Sequence, residues 1–231
     1  MKVKYFLLLS LILISTIAKS QVMWMLIFGD KLSNDKIQSG ANISLAAVNY
    51  TGLEDAKYLR TWAFGGFTDI SIKEHWAIHA DMVFKSPTGA KSLNNYFSFD
   101  NFPDTLLTKK DIRIDNITFS MPIHLEYQTR YFGFGVGPSI SFTYRSRLIL
   151  RGENLEGDQI VLTRKNLDRV KMFDLGISTM LEFYLSPKKK QESMRLGVRY
   201  YYGFLDALQD VPGAHNSVFY FNVGIPIIPK K

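Results

Sequence analysis

A chain of 231 residues has room for one medium-sized domain and little else. Hydrophobic residues make up 46% of it and mean hydropathy is −0.03, a balance that excludes a bundle of membrane helices and equally excludes disorder. The absence of cysteine rules out a disulfide framework, thiolate metal sites and lipid attachment through cysteine. The net charge of +7 is spread through loops and turns, without the concentrated basic face that nucleic-acid binding needs.

Lys2 and Lys4 open the chain with a short positive stretch, 5–17 is apolar apart from small hydroxyl residues, and Ala18-Lys19-Ser20 puts small residues at the −3 and −1 positions of a signal-peptidase site. Residues 1–20 therefore read as a secretory signal peptide, leaving 21–231 as one domain beginning at Gln21. The rival reading, an uncleaved anchor prolonged by 22–28, is interrupted by Lys19, Ser20 and Gln21. Without the three lysines of the leader, 25 basic residues face 21 acidic ones. No later segment approaches the ~18 consecutive apolar residues of a membrane helix, so the strand pattern decides between periplasm, exterior and outer membrane.

Aromatics are frequent, with 17 Phe, 12 Tyr and 3 Trp, and they favour strands. Eight segments alternate with period two. The first, 37–47, sets Ile37, Ile43 and Leu45 against Gln38, Asn42 and Ser44; the second, 58–72, sets Trp62, Phe64, Ile70 and Ile72 against Thr61, Gly65, Asp69 and Ser71. The third, 76–86, has Trp76, Ile78, Met82 and Phe84 opposite His79, Asp81 and Lys85. The fourth, 115–128, has Ile117, Phe119, Met121, Ile123, Leu125 and Tyr127 opposite Thr118, Ser120, His124 and Glu126. In the fifth, 131–148, Phe132, Phe134, Val136, Ile140, Phe142 and Tyr144 oppose Gly133, Gly135, Gly137, Ser139, Ser141, Thr143, Arg145 and Arg147. The sixth, 172–186, opposes Phe173, Leu175, Ile177, Leu181 and Phe183 to Asp174, Ser178 and Glu182. The seventh, 192–205, opposes Leu196, Val198, Tyr200, Tyr202 and Phe204 to Arg195, Gly197, Arg199 and Gly203. The eighth, 216–227, opposes Phe219, Phe221, Val223 and Ile225 to Tyr220, Asn222 and Gly224.

The links after the second, fourth and sixth segments are short (73–75, 129–130, 187–191), whereas 87–114 and 149–171 are by far the longest. Alternating short and long links is the habit of an all-β, eight-stranded antiparallel up-and-down transmembrane β-barrel, with turns in the periplasm and loops outside. Pro122 and Pro138 fall inside strands, where each removes a ladder hydrogen bond; a bulge or a rim position is expected to absorb them.

A soluble lipocalin-like barrel would turn its apolar face inward. Here the apolar face is bulky and aromatic, and the other carries the small residues that suit a narrow lumen. Trp76, Tyr127, Phe132 and Phe183 fall at the expected periplasmic rim, and Trp62, Phe84, Tyr144, Phe173, Tyr202 and Phe204 toward the outer one, as in the aromatic belts of membrane barrels. The lumen is then expected to hold Asp69, Asp81, Glu126, Asp174 and Glu182 against Lys85, Arg145, Arg147, Arg195 and Arg199, five acids and five bases that plug it by pairing. Arg195 and Arg199 are expected to share one small volume with Asp174 and Glu182.

The run from Phe28-Gly29-Asp30-Lys31 through Asp35-Lys36-Ile37 into a Gly/Asn-containing first strand resembles the start of PorT-like outer-membrane barrels of the Bacteroidota. Ala18-Lys19-Ser20-Gln21 is similar to signal ends of that phylum, and Gly133-Phe134-Gly135-Val136-Gly137-Pro138 to the family's Gly-alternating strand. The resemblance implies an eight-stranded barrel in the cell outer membrane, with no catalytic residues to carry over and one relative that works in secretion and gliding. The C-terminus, Ile227-Ile228-Pro229-Lys230-Lys231, departs from the terminal aromatic of many outer-membrane barrels.

Chemistry is sparse. His79 and His124 point to the lumen near Asp81 and Glu126, which reads as a hydrogen-bonded network in preference to a metal site; no cofactor is expected. No Ser–His pair falls at the outer rim, where a lipid hydrolase would need one. Tyr96, Phe97, Phe99 and Phe102 on the long loop 87–114 offer either a partner surface or a lid. The sequence thus points to a non-enzymatic barrel, structural or partner-binding through its outer loops. Its partners would be outer-membrane lipid, the barrel assembly machinery and an envelope or secretion protein. The alternative is a narrow porin-like transporter of small or lipophilic solutes.

Overall fold

The computed structural model describes residues 36–99, 107–154, 156–186 and 192–227. The signal-peptide reading, the lead-in at 28–35, Phe102, the turn at 187–191 and the last four residues lie outside them. Strands β1 (Ile37–Thr51), β2 (Leu59–Lys73), β3 (Trp76–Ala90), β4 (Thr108–Gln128) and β5 (Phe132–Glu153) follow in order. A short β6 (Gln159–Lys165) and a single 3-10 turn (Leu167–Arg169) precede β7 (Phe173–Tyr184), β8 (Arg195–Asp206) and β9 (His215–Pro226). Every pairing is antiparallel, and the order β4-β3-β2-β1-β9-β8-β7-β5 is closed by β4 against β5, an eight-stranded up-and-down barrel. β6 stands outside the ring. It pairs with the outer half of β5, from Arg147↔Lys165 to Glu153↔Gln159, while β7 takes the inner half, from Phe132↔Phe183 to Phe142↔Phe173.

The prolines sit differently from expectation. Neither lies at a rim or a bulge. The β3–β4 ladder skips the rows between Ala80↔Ile123 and Val83↔Ser120, where Pro122 falls. The β4–β5 ladder skips those between Pro122↔Ser139 and Leu125↔Val136, where Pro138 falls. Both skips keep register, so the missing N–H groups cost local hydrogen bonds and leave strand direction unchanged.

Bulges occur higher up. Between Val83 and Ser86, β3 carries one residue more than β4 opposite it, and Tyr144 is the extra residue where Ile117↔Arg145 gives way to Thr118↔Thr143. A bulge reverses which parity faces inward. On β3 the buried set therefore changes from Ala77, His79, Asp81 and Val83 to Ser86, Thr88 and Ala90. On β5 it changes from Gly133 through Thr143 to Ser146, Leu148 and Leu150. The two bulges are tied together, since the Tyr144 hydroxyl donates to the Phe84 carbonyl at 3.0 Å.

Polarity reverses at the same height. Along β4 the even residues face inward throughout, yet Thr118, Ser120, His124 and Glu126 give way to Asn116 and then to Ile114 and Ile112; outward, Phe119 and Ile117 give way to Asp115 and Arg113. β1 repeats the change, with Asn42 and Ser44 inside below and Val48 and Tyr50 inside above. The lower section thus exposes its apolar side chains, Leu45 at 69% and Phe134 at 55%, and buries Glu126 and His124 completely. On β4 the exposed apolar run from Ile117 to Tyr127 covers 11 residues. At ~3.4 Å per residue and a tilt near 40° this gives a band of about 26 Å, the height of a membrane barrel's apolar belt. Water would not sustain so large an apolar exterior around a charged interior, whereas a closed barrel satisfies every condition for crossing a bilayer with strands.

Candidate functional site

The lower lumen is held by a charged network that crosses it from wall to wall. His79 on β3 faces its register partner Asp69 on β2, Nδ1 to Oδ1 at 2.6 Å, and reaches Asp81 Oδ2 with Nε2 at 3.2 Å. An imidazole with both nitrogens on carboxylates donates from both, which makes it a cation. From the far wall, Arg195 of β8 donates to Asp69, to Glu182 Oε2 at 3.1 Å and to Gln38 Oε1 at 2.6 Å, with its guanidinium over the Phe67 and Tyr184 rings. Two alternations higher on β8, Arg199 donates to Asp81 Oδ2 at 2.5 Å over the Tyr220 ring, and Asn42 donates to the other Asp81 oxygen at 2.5 Å. Glu126 accepts from the Tyr184 hydroxyl at 2.8 Å and from Gln128 at 2.7 Å. A Cβ at Gly133 would displace Glu126 Oε1 and the Tyr184 hydroxyl from this arrangement.

Seven of the ten expected lumen charges are inside: Asp69, Asp81, Glu126, Asp174, Glu182, Arg195 and Arg199. Three are not, which corrects the five-against-five balance. Lys85 lies outward with its ammonium 3.2 Å from the centroid of the Trp62 ring. Arg145 is exposed, and Arg147 is outside and bonded to Asp115 at 2.7 Å. All three sit at or above a bulge, where the parity that places Asp81 and Thr143 inward has reversed. A second correction concerns Asp174, whose partner is the Asn216 amide at 2.8 Å, not an arginine. The third lumen cation is His79.

Asp69, His79 and Glu126, and likewise His79, Asp81 and His124, bring ligand atoms within 4.8 Å of one another. Cationic groups already occupy Asp69 and Asp81, namely Arg195, His79 and Arg199, and Glu126 is taken by Tyr184 and Gln128. His124 is fully buried, with no hydrogen-bond partner on either nitrogen among the described residues. The other histidines face backbone carbonyls, His75 that of Gln128 and His215 that of Leu205, each at 3.2 Å.

Above the network the barrel is closed by hydrocarbon. Tyr50, Leu93, Phe97, Ile112, Ile114, Leu148, Leu150, Val170 and Leu208 form one buried cluster, drawn from the outer ends of the strands and the segments between them. Phe97 is 4% exposed, and Tyr96 and Phe99 pack against the same cluster. Of the two alternatives, Tyr96, Phe97 and Phe99 thus take that of a lid; Arg169 and Arg164 stack on the Phe97 and Phe99 rings from outside. This cap had no sequence signal because Ile112, Ile114 and Leu150 fall where long loops were expected.

No protein-family model matches the chain, and no curated protein matches it. Among solved structures it is similar to Ail, the attachment invasion locus protein of Yersinia pestis, at 10% identity over 83% of this chain and 99% of that one, TM-score 0.44. It is similar to the Neisserial surface protein A at 13% identity over 82% and 96%, TM-score 0.40, and to CarO2 of Acinetobacter baumannii at 10% over 84% and 100%, TM-score 0.41. By its own architecture, a closed antiparallel ring of eight strands with an apolar belt outside and a charged interior, the chain is an outer-membrane β-barrel.

Proposed function

We propose that this chain is a closed, non-enzymatic anchor that holds a folded outer section at the cell surface for an envelope or secretion partner. On this reading it belongs with the PorT-like barrels of the Bacteroidota, is exported by the signal peptide at 1–20 and is inserted by barrel assembly machinery. The observation that carries the proposal is closure at two levels, by the Arg195–Asp69–His79–Asp81–Arg199 network below and by the buried apolar cluster above. A space among the lumen side chains lies between the serines and threonines of β3, β4 and β5 and the Arg199 guanidinium. It holds about 10 Å³, the room of one water. That counts against the narrow transporter. A binding role leaves the outer section as the working part. β6 has one edge without a strand partner among the described residues, a place where an extended segment of a partner can pair. Reconstitution of the purified protein into planar bilayers tests the reading. No current steps are expected at either polarity; a stable current proportional to inserted protein would overturn the anchor and restore the transporter.

A further inference from the structure

The outward face of β4, β5 and β6 just above the apolar belt carries a patch of positive charge that the anchor reading does not use. Across these strands the register places Asp115, Arg147 and Lys165 in one row, Arg113, Ile149 and Thr163 in the next, and Asp111, Arg151 and Val161 in the third. Arg147 and Arg151 thus lie four residues apart on one face, about 13 Å, with Arg113 across the strand pair midway between them and diagonal to each, about 7 Å away, within reach of long side chains. Arg145 follows one step below. Arg113 feels the like charges of both Arg151 and Arg147. Asp115 balances one of them, by its bond to Arg147. Asp111 is turned to Ser92, and Glu153 to Lys109. Among the described residues no ion pair joins Arg113, Arg145, Arg151 or Lys165 to a carboxylate. The Nε–H groups of Arg113 and Arg147 are shielded from water and have no acceptor among the described residues.

Three guanidiniums on one outward face, with Arg113 midway and only Arg147 paired to a carboxylate among the described residues, call for a multivalent oxyanion, because the planar fork matches phosphate geometry. The height of the patch says which one. It begins with Arg145 in the row of Ile117, the last apolar outward residue of β4, and continues from the next outward row up, close above Trp62, Phe84 and Tyr144 at the hydrocarbon boundary. A group at that height meets lipid headgroups before it meets bulk water. We propose that Arg113, Arg147 and Arg151, flanked by Arg145 and Lys165, form a binding site for the phosphate groups of an outer-leaflet glycolipid. The site goes beyond the anchor reading and is independent of it, since a conducting barrel would hold the same lipid.

The test uses the whole protein in detergent, with native mass spectrometry reading bound lipid on adding diphosphorylated lipid A. One bound lipid A per barrel is expected to persist after collisional removal of detergent, with dephosphorylated lipid A and phosphatidylethanolamine bound at least tenfold more weakly. R113Q/R147Q/R151Q is expected to lose that preference, and R151Q alone, at an exposed position, to weaken it severalfold. R130Q, in the turn at the opposite rim, is expected to change nothing. Heat-modifiable mobility on unboiled gels confirms that each variant is folded, and R151Q serves if the triple variant is not. Three results would overturn the site: equal lipid A binding by R151Q and the parent, equal binding of the dephosphorylated lipid, or displacement by equimolar inorganic phosphate.

Discussion

Arg195 concentrates what single residues do in this barrel. It is 1% exposed and bonded to Asp69, Glu182 and Gln38 from across the lumen. Replacing it with leucine leaves Glu182 buried without its cation and Asp69 with His79 alone, and losing one partner of a buried pair costs roughly 3–5 kcal/mol. Arg195→Leu is therefore expected to lower the urea midpoint of the folded band sharply. Arg130→Leu, in an exposed turn, should stay within about 0.5 kcal/mol of the parent. Equal midpoints would mean that the lumen is wet and the network dispensable. Much of this network was legible, because strict alternation put Asp69, Asp81, Glu126, Glu182, Arg195 and Arg199 on the inward parity. Its wiring was not. Period two says which way a side chain points and nothing about which residue it meets across a barrel. The sequence places His79 in a hydrogen-bonded network beside Asp81, but its bond to Asp69 and Asn216 as the partner of Asp174 had no sequence signal.

At the scale of strands, the bulges and the polarity reversal explain both what was read correctly and what was lost. On β5 the two effects cancel. Tyr144 reverses the parity and the surroundings reverse the polarity, so Ile140, Phe142, Leu148 and Leu150 stay in one phase although the first two face lipid and the last two face the cap. The strand read as continuous, and Arg145 and Arg147 were carried inward with it. β4 has no such compensation. Its apolar phase slips between Ile117 and Ile114, and the expected strand stopped at Asp115, several residues short of Thr108. β1 is cut short at 47 by the same slip, between Leu45 and Val48. A phase slip that follows a clean alternating run is the mark by which such a reversal can be found. The tie between bulges gives this scale its prediction. Tyr144→Phe removes the bond to the Phe84 carbonyl and is expected to cost about 1 kcal/mol, measured as a lower urea midpoint. An unchanged midpoint would show that water takes over the carbonyl at no cost.

For the whole molecule, closure rests on two barriers in series, and their independence can be tested. Phe97 joins the lid to the cap, and a buried phenylalanine cut back to alanine costs roughly 3–5 kcal/mol. Phe97→Ala is expected to speed protease cleavage within the segment between β3 and β4. It should leave planar bilayers silent, because the charged bridges below are untouched. Current through this variant would show that the lid alone seals the barrel.

The reversal of polarity along the strands also fixes how deep the barrel rides. A cylinder that was apolar along its full length could slide along the bilayer normal to suit its host. This one has a waterline. Sinking by a single pair of rows would draw Arg113, Arg147 and Asp115 into hydrocarbon, while rising would lift Ile117 and Phe119 out of it. A charged side chain on the lipid face costs little at the interface but ~2–4 kcal/mol at the midplane, and here several would move together. Strain from a bilayer that is too thick or too thin must then fall on the lipids, which stretch or thin around the barrel. The protein sets the local thickness of its membrane.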